Sequence, residues 1–216
     1  MIKEEYKHEI FSSRYHEHDI SLDENTEKKA VKLLSDITDI IEKLNIKYWL
    51  EGGTCLGAYR DGKMIPWDHD LDLGIQFNNN KNIQDLINIL KSKYHVKIKG
   101  FTIHDEVWNL GKYRLIKVYP KKHVFFYDKL CLDIFIFYRE KIDSDNSEIA
   151  YKYVCFNKNG YHPVKYLDSL KSIKFYTKTY KIPNHTDEWL ESKYGKDWKT
   201  PKKKWHVLIN DGTIIR

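Results

Sequence analysis

No window of this 216-residue sequence approaches eighteen consecutive apolar residues, so no membrane-spanning helix is encoded. The first segment, MIKEEYKHEIFSSRYHEHD, lacks an apolar core and a small-residue cleavage site, which argues against export. Cysteine is scarce: Cys55, Cys131 and Cys155 are odd in number and widely spaced, and none forms a C-x-x-C pair. That excludes a disulfide framework and a zinc ribbon, and the expected compartment is reducing and cytoplasmic. Only 10 Gly and 5 Pro occur, too few for collagen-like or low-complexity chains.

What is present describes a globular protein. Hydrophobic residues make up 41% and charged residues 31%, and a chain of this length buries roughly 70% of its unfolded surface around one core. The net charge is +6, and its placement is uneven. Residues 165–204 hold eleven Lys against five acids, while the remaining 26 basic and 26 acidic residues cancel. Such a quarter suits a solvated lysine face, and it leaves open contact with an anionic membrane surface or a phosphate-rich partner.

Periodicity divides the chain into helices and strands. Ser21 and Glu24 make a capping box, and Val31, Leu34, Ile37, Ile41 and Leu44 repeat at helical spacing behind it, predicting a helix over 24–44. Residues 47–50 read as a short strand that breaks at Gly52 and Gly53 into a helix N-terminus. From Asp70 the period becomes two, with Leu71, Leu73, Ile75 and Phe77 on one face and Asp70, Asp72, Gly74 and Gln76 on the other. An Asn-rich turn then caps a helix presenting Ile83, Leu86, Ile87, Leu90 and Tyr94. Strands are predicted over 113–119, 124–127, 130–137 and 151–156, with Pro120-Lys121-Lys122 as a short polar or turn segment between two of them. A last helix begins at Asn184 or Thr186 and stops at Gly195. Strands and helices alternate without a strict βαβ rhythm, so an α+β fold is expected.

The chemistry concentrates in Tyr48–Thr54 and in Asp70-Leu71-Asp72. Two glycines between strand and helix let backbone N–H groups approach a phosphate closely. Asp70 and Asp72, on one face of a strand, have Cα atoms about 6.7 Å apart and can converge on a hard cation. Mg²⁺ is the expected ion, with Mn²⁺ also suited. Asp133 stands alone in the apolar run Leu130–Phe137, where an unpaired carboxylate is costly. Metal coordination compensates for that cost and makes Asp133 the third ligand or the general base. Glycine turn, D-x-D strand and distant lone Asp, in that order, are the parts of a nucleotidyltransferase (polymerase-β-like) fold, a mixed sheet flanked by helices.

The string Tyr48–Arg60 followed by Ile65–Gly74, with Leu132-Asp133-Ile134-Phe135 and Lys193–Pro201, resembles the LicD/fukutin family. The likeness covers about 26–205, taken as the catalytic domain, with 1–25 an N-terminal extension and 206–216 a C-terminal tail. It implies metal-dependent transfer of a phospho-alcohol such as phosphocholine, glycerol phosphate or ribitol phosphate. The donor would be CDP-linked, the acceptor a glycan hydroxyl, and the leaving group CMP. Cys55 stands where the family often has Leu, and His69 where its W-D-D-D run usually has Asp. The His69 departure falls on the face opposite Asp70 and Asp72, while Asp68 remains as an outer ligand.

On this reading Asp70, Asp72 and Asp133 hold the metal, Gly53 and Thr54 cradle the donor phosphates, and Arg60 and Lys63 reach them. Arg60 pairing with a surface acid is the plainer alternative. Trp67, Tyr194 and Trp198 read as core packing. Three rival functions stay open: NMP transfer from an NTP with release of pyrophosphate, a nucleic-acid-binding module, and a catalytically silent relative. Nucleic acid is disfavoured because the acidic cluster would repel a phosphate backbone.

Overall fold

The computed structural model describes residues 24–68, 70–100, 112–123, 126–127, 129–142, 148–155 and 158–214. Ser21 of the expected capping box, His69, and residues 124, 125 and 156 of the expected strands lie outside these.

Helix α1 spans Glu24–Lys43 and buries Leu34, Ile37 and Ile41, with Ala30, Leu33 and Ile40 beside them. Strand β1 (Tyr48–Leu50) leads into the five-residue helix α2 (Gly52–Leu56), which continues as a wider π-helical turn over Gly57–Asp61. Strand β2 (Asp70–Gln76) follows, then α3 (Asn80–Lys93), where Asn79 accepts from the Asn82 N–H at 2.9 Å. Next come β3 (His95–Gly100), β4 (Tyr113–Tyr119), the short pair β5 (Lys121–His123) and β6 (Phe126–Tyr127), and the long β7 (Cys131–Lys141). Strands β8 (Ile149–Cys155) and β9 (Lys158–Pro163), the turn α4 (Val164–Leu167), β10 (Leu170–Phe175) and β11 (Lys178–Pro183) complete the sheets. Helices α5 (Thr186–Tyr194) and α6 (Val207–Asn210) close the described chain.

The result is a mixed α+β architecture, as its element pattern implies. The central sheet runs β1-β2-β7-β4-β3, with β8 on the second half of β7 and β9 on β8. Strands β2 and β7 are parallel, and the other pairs in this sheet are antiparallel. One sheet face is apolar, with Leu71, Leu73, Ile75, Leu132, Ile134, Ile136, Ile116 and Val118 all buried in the same cluster as the inner residues of α1 and α3. On the other face an aromatic column rises from the sheet. Trp49 meets Phe137 at 4.9 Å, Phe137 meets Tyr153 at 4.7 Å, Tyr153 meets His162 at 5.5 Å, and His162 meets Trp189 of α5 at 5.5 Å.

Two expectations need correction. Lys121 and Lys122 are not a turn: they lie in β5, whose register pairs Lys121 with Tyr127 and His123 with Phe126. The lysine-rich stretch 170–183 also carries more structure than its charge suggests, because it forms the β10–β11 hairpin. The reason is its period of two, in which Phe175, Tyr180 and Ile182 are buried while Lys174 and Lys181 alternate outward. Much of the local positive excess is engaged within the fold. Lys165 pairs with Glu188, Lys178 with Asp39 and Lys202 with Asp197, while Lys171, Lys199 and Lys203 lie over the rings of Tyr59, Trp198 and Trp67. Among the described residues no helix is long and apolar enough to cross a membrane.

The residues read as a C-terminal tail pack inside over part of their length. Asp211, Thr213 and Ile214 are buried, and Ile214 bridges to Gly160 of β9. Gly212 is needed there because a Cβ would meet the Ser192 carbonyl.

Candidate active site

The site is built at the corner between β1 and α2, against the start of β2. The Glu51 N–H donates to the Asp72 carbonyl at 3.1 Å and extends the β1–β2 pairing by one residue. Gly52 then turns the chain with φ +51°, a left-handed conformation that L side chains rarely adopt. The corner is pinned to Asp72 twice more. The Gly53 N–H donates to Asp72 Oδ2 at 3.2 Å, and the Asp72 N–H donates to Thr54 Oγ1 at 2.8 Å.

Carboxylates pack over both glycines, and at Gly52 the left-handed φ adds to the obstruction. A Cβ on Gly52 would lie 3.0 Å from Asp72 Cγ, and one on Gly53 would lie 3.1 Å from Asp68 Cγ, with an oxygen closer in each case. The pair of glycines was expected to admit a phosphate to the backbone. In the structure they admit the carboxyl groups of Asp68 and Asp72, and the Gly53 and Thr54 groups expected to cradle phosphate are turned toward Asp72.

Across the sheet the register places Asp70 beside Cys131, Asp72 beside Asp133, and Asp133 beside Lys117 of β4. Register partners share a face, so Asp70, Asp72, Asp133 and Lys117 stand together. The three expected carboxylates are thus brought onto one surface. Asp133 is not unpaired, contrary to expectation: Lys117 Nζ donates to its Oδ2 at 2.5 Å, and the Cys131 thiol donates to its Oδ1 at 3.0 Å. Burial pulls the Lys117 ammonium down, but Asp133 and its neighbours hold its pKa above the ordinary value.

The electrostatics of Asp72 are the opposite. Burial first, then the charges of Asp70, Asp68, Asp133 and Glu51, raise its carboxyl well above the usual range. Negative charge is therefore undercompensated at this point of the sheet. Its donors are all carboxylate oxygens, the chemistry a hard divalent cation prefers. Among the described residues no three His, Cys, Asp or Glu side chains are gathered as a ready-made cage. A cation held by one or two carboxylates and completed by donor phosphates and water fits this arrangement, which is the usual habit of Mg²⁺.

The basic residues expected to contact phosphate lie after α2. Arg60, in the π-helical turn, gives Nε and Nη2 to the two oxygens of Asp61 at 2.9 and 2.7 Å, and its Nη1 reaches the Trp198 carbonyl at 3.4 Å. Lys63 is exposed beyond Gly62, near enough to Asp61 to help lower its carboxyl pKa after the larger effect of Arg60. Trp67 and Tyr194 pack on the core partly buried and Trp198 is buried, as expected. Cys55 is also buried.

Sequence reasoning missed Lys117, Lys193, Asp211 and the role of Glu51. A signal for Lys117 existed: it is a lone charge in the apolar run Leu115–Val118, and Asp133 is the matching lone charge in Leu130–Phe137. Removing Lys117 as Lys117→Met leaves Asp133 buried beside two more acids. The expected loss is on the order of 2 kcal/mol, below the figure for a fully buried pair because Lys117 keeps some contact with water. Chemical denaturation against the wild type checks this, and an unchanged midpoint would show that Asp133 does not depend on the pair.

Comparison with known proteins follows the same residues. The family model described as LicD/FKTN/FKRP, nucleotidyltransferase domain, matches residues 45–185. Ribitol-5-phosphate transferase FKTN of Homo sapiens is 31% identical over 192 residues, 85% of this chain. An uncharacterized protein of Rickettsia typhi is 35% identical over 120 residues, 54% of this chain and 32% of its own length. Ribitol 5-phosphate transferase FKRP of Homo sapiens is 46% identical over 50 residues, 23% of this chain and 10% of its own length. The chain spans 37% of the length of the FKTN relative.

Proposed function

The chain belongs to the LicD/FKTN/FKRP family, and from that premise we propose that it transfers a phospho-alcohol from a CDP-linked donor to a glycan hydroxyl, releasing CMP. The observation that carries the proposal is the corner just described: Asp72 and Asp68 pack over the two glycines, with Asp70 on the same strand face as Asp72 and Asp133 alongside Asp72 in register. Relatives named ribitol-5-phosphate transferases make ribitol phosphate a natural first donor to test. The mixed sheet with its glycine corner is consistent with a nucleotidyltransferase-like fold.

In this reading Asp70 and Asp72 hold Mg²⁺ or Mn²⁺. A bound ion would neutralise charge developing on the donor pyrophosphate during in-line attack. The corner's hydrogen bonds fix Asp72, so its carboxylate needs no reorganisation when the donor arrives. Asp133 completes the acidic set. To accept the acceptor's proton, or to ligate, its Oδ1 must exchange the Cys131 thiol, a weak donor, while Lys117 keeps Oδ2 in place. Arg60 and Lys63 are the basic side chains proposed for the donor phosphates, and contact of Arg60 with phosphate requires exchange of its Asp61 partner for the stronger anion.

The test is incubation with Mg²⁺ or Mn²⁺ and a panel of CDP-alcohols and NTPs, with nucleotide products resolved by ion exchange. Metal-dependent CMP release from one CDP-alcohol is expected. Asp70→Ala and Asp72→Ala should each lower it on the order of 10³-fold, the scale of several kcal/mol of lost charge stabilisation. Pyrophosphate release from an NTP in place of CMP would overturn the proposal in favour of NMP transfer.

A further inference from the structure

Lys193 on α5 takes no part in the chemistry above, yet it is buried and lies below the corner. Its Nζ is 2.9 Å from Asp211 Oδ2, 3.4 Å from Glu51 Oε1 and 3.4 Å from the Tyr153 hydroxyl. It also stands 5.3 Å over the Tyr153 ring. Burial pulls its pKa down, but Asp211, Tyr153 and Glu51 hold it well above the ordinary lysine value.

Two buried carboxylates share this single ammonium. Asp211 commits Oδ1 to the Thr213 N–H and hydroxyl, and Glu51 commits Oε2 to the Trp49 indole at 2.7 Å. Among the described residues their remaining oxygens, Glu51 Oε1 and Asp211 Oδ2, are buried and meet no aligned hydrogen-bond donor, only the ammonium of Lys193 nearby. What compensates them is the charge of Lys193.

We propose that Lys193 is a positioning residue for the cation and donor site, acting through Glu51 to hold the Glu51–Gly52–Gly53 corner against Asp72. What the corner serves rests on the function proposed above; how it is held does not. The corner is the part of the site most in need of an anchor. Gly52 and Gly53 have no side chain to be locked by packing, so the turn itself is held by its backbone bonds to Asp72 and by whatever holds Glu51. Glu51 is the last side chain before the turn, and its backbone N–H is already bonded to Asp72. Clamping that side chain from below fixes the position from which Gly53 donates to Asp72. Without Lys193, Glu51 Oε1 becomes a buried charge with no counter-ion, and moving the glycine corner is the least resisted way to rehydrate it.

The alternative is that Lys193 only glues α5 to the C-terminal segment through Asp211, which is its closer partner. Three variants separate the two: Lys193→Met, Glu51→Gln and Asp211→Asn. Each is read by its thermal midpoint, by hydrogen exchange of the backbone amides of residues 52–55, and by titration with Mn²⁺ alone. Positioning predicts that Lys193→Met and Glu51→Gln each speed exchange at the corner about tenfold and weaken Mn²⁺ binding about tenfold. Combined, they should do no more than either alone, because they cut one chain of contacts. Asp211→Asn should lower the midpoint yet leave corner exchange and Mn²⁺ affinity within about twofold. Glu51→Gln keeps an acceptor for the Trp49 indole, so it decides the question even where Lys193→Met does not fold. Corner exchange unchanged in Glu51→Gln, or additive effects in the double variant, would overturn the proposal. A wild type that binds no Mn²⁺ would count against the metal-dependent function alone, since the exchange measurement still reads the corner.

Discussion

Asp72→Asn is expected to abolish transfer while making the metal-free protein harder to unfold near neutral pH. Asparagine keeps an oxygen for the Gly53 N–H, so the corner's hydrogen bond survives, but the charge that would bind the cation is gone. The stability gain follows from burial and the surrounding anions. They raise the folded carboxyl's pKa above its unfolded value, so the ionised group opposes folding. This group's contribution therefore disfavours the fold as pH rises through the range between the two values, and the penalty is removed as pH falls. The asparagine variant's advantage should accordingly be full above the raised value and gone below about pH 4, where an unfolded aspartate also protonates. Each kcal/mol relieved is worth roughly 2–4 °C in the midpoint for a chain of this size.

The same measurement tests the cation. At a concentration about a hundred times its dissociation constant, Mg²⁺ or Mn²⁺ should stabilise the wild type by about 2.7 kcal/mol, or roughly 5–10 °C. It should do little for Asp72→Asn. A wild type and a variant that respond alike to the metal would remove Asp72 from the ligand set.

Gly52→Ala carries the second large effect. The new methyl would meet Asp72 Cγ at 3.0 Å with Oδ2 closer still, and the backbone there sits at φ +51°. Left-handed strain costs roughly 1–2 kcal/mol and overpacking another 1–3 kcal/mol. Because the obstructing group is the proposed ligand itself, the fold can escape only by displacing Asp72. Activity should fall at least on the order of 10²-fold even in the fraction that remains folded, the penalty typical of an ångström-scale misplacement. Gly53→Ala makes an informative comparison. Its φ is unremarkable and its obstacle is Asp68, so Gly53→Ala combined with Asp68→Ala should recover stability, whereas no second substitution cures the φ strain at Gly52. Denaturation midpoints of the three variants, with CMP release as the activity readout, check the order. A Gly52→Ala protein as stable and active as the wild type would sink this account of the corner.

Much of this was legible before any coordinates. Local periodicity gave α1 to within a residue and the inward face of α3, because their apolar stripes are long enough to outvote single exceptions. The D-x-D strand was legible because leucines and acids alternate without a break from Asp70 to Leu73. The helix Thr186–Tyr194 was legible from a start at Asn184 or Thr186 and a stop at Gly195, which does adopt a positive φ of 88°. The hairpin 170–183 was obscured because its lysines suggested a solvated face, though Lys174 and Lys181 occupy its outward positions and Lys171 and Lys178 are half-buried against partners.

The sequence by itself determined which residues can carry chemistry: which strand bears the acids, that glycines must stand before them, and which family's pattern they follow. It also determined the α+β class. Only the tertiary structure decided the partners. Asp133 meets Lys117 across sixteen residues and Glu51 meets Lys193 across the greater part of the chain, through register and helix packing that no local pattern encodes. The physical reason is range. Periodicity and turn chemistry act over a few residues, whereas the cost of a buried charge is settled by whichever counter-charge folding brings within about 4 Å.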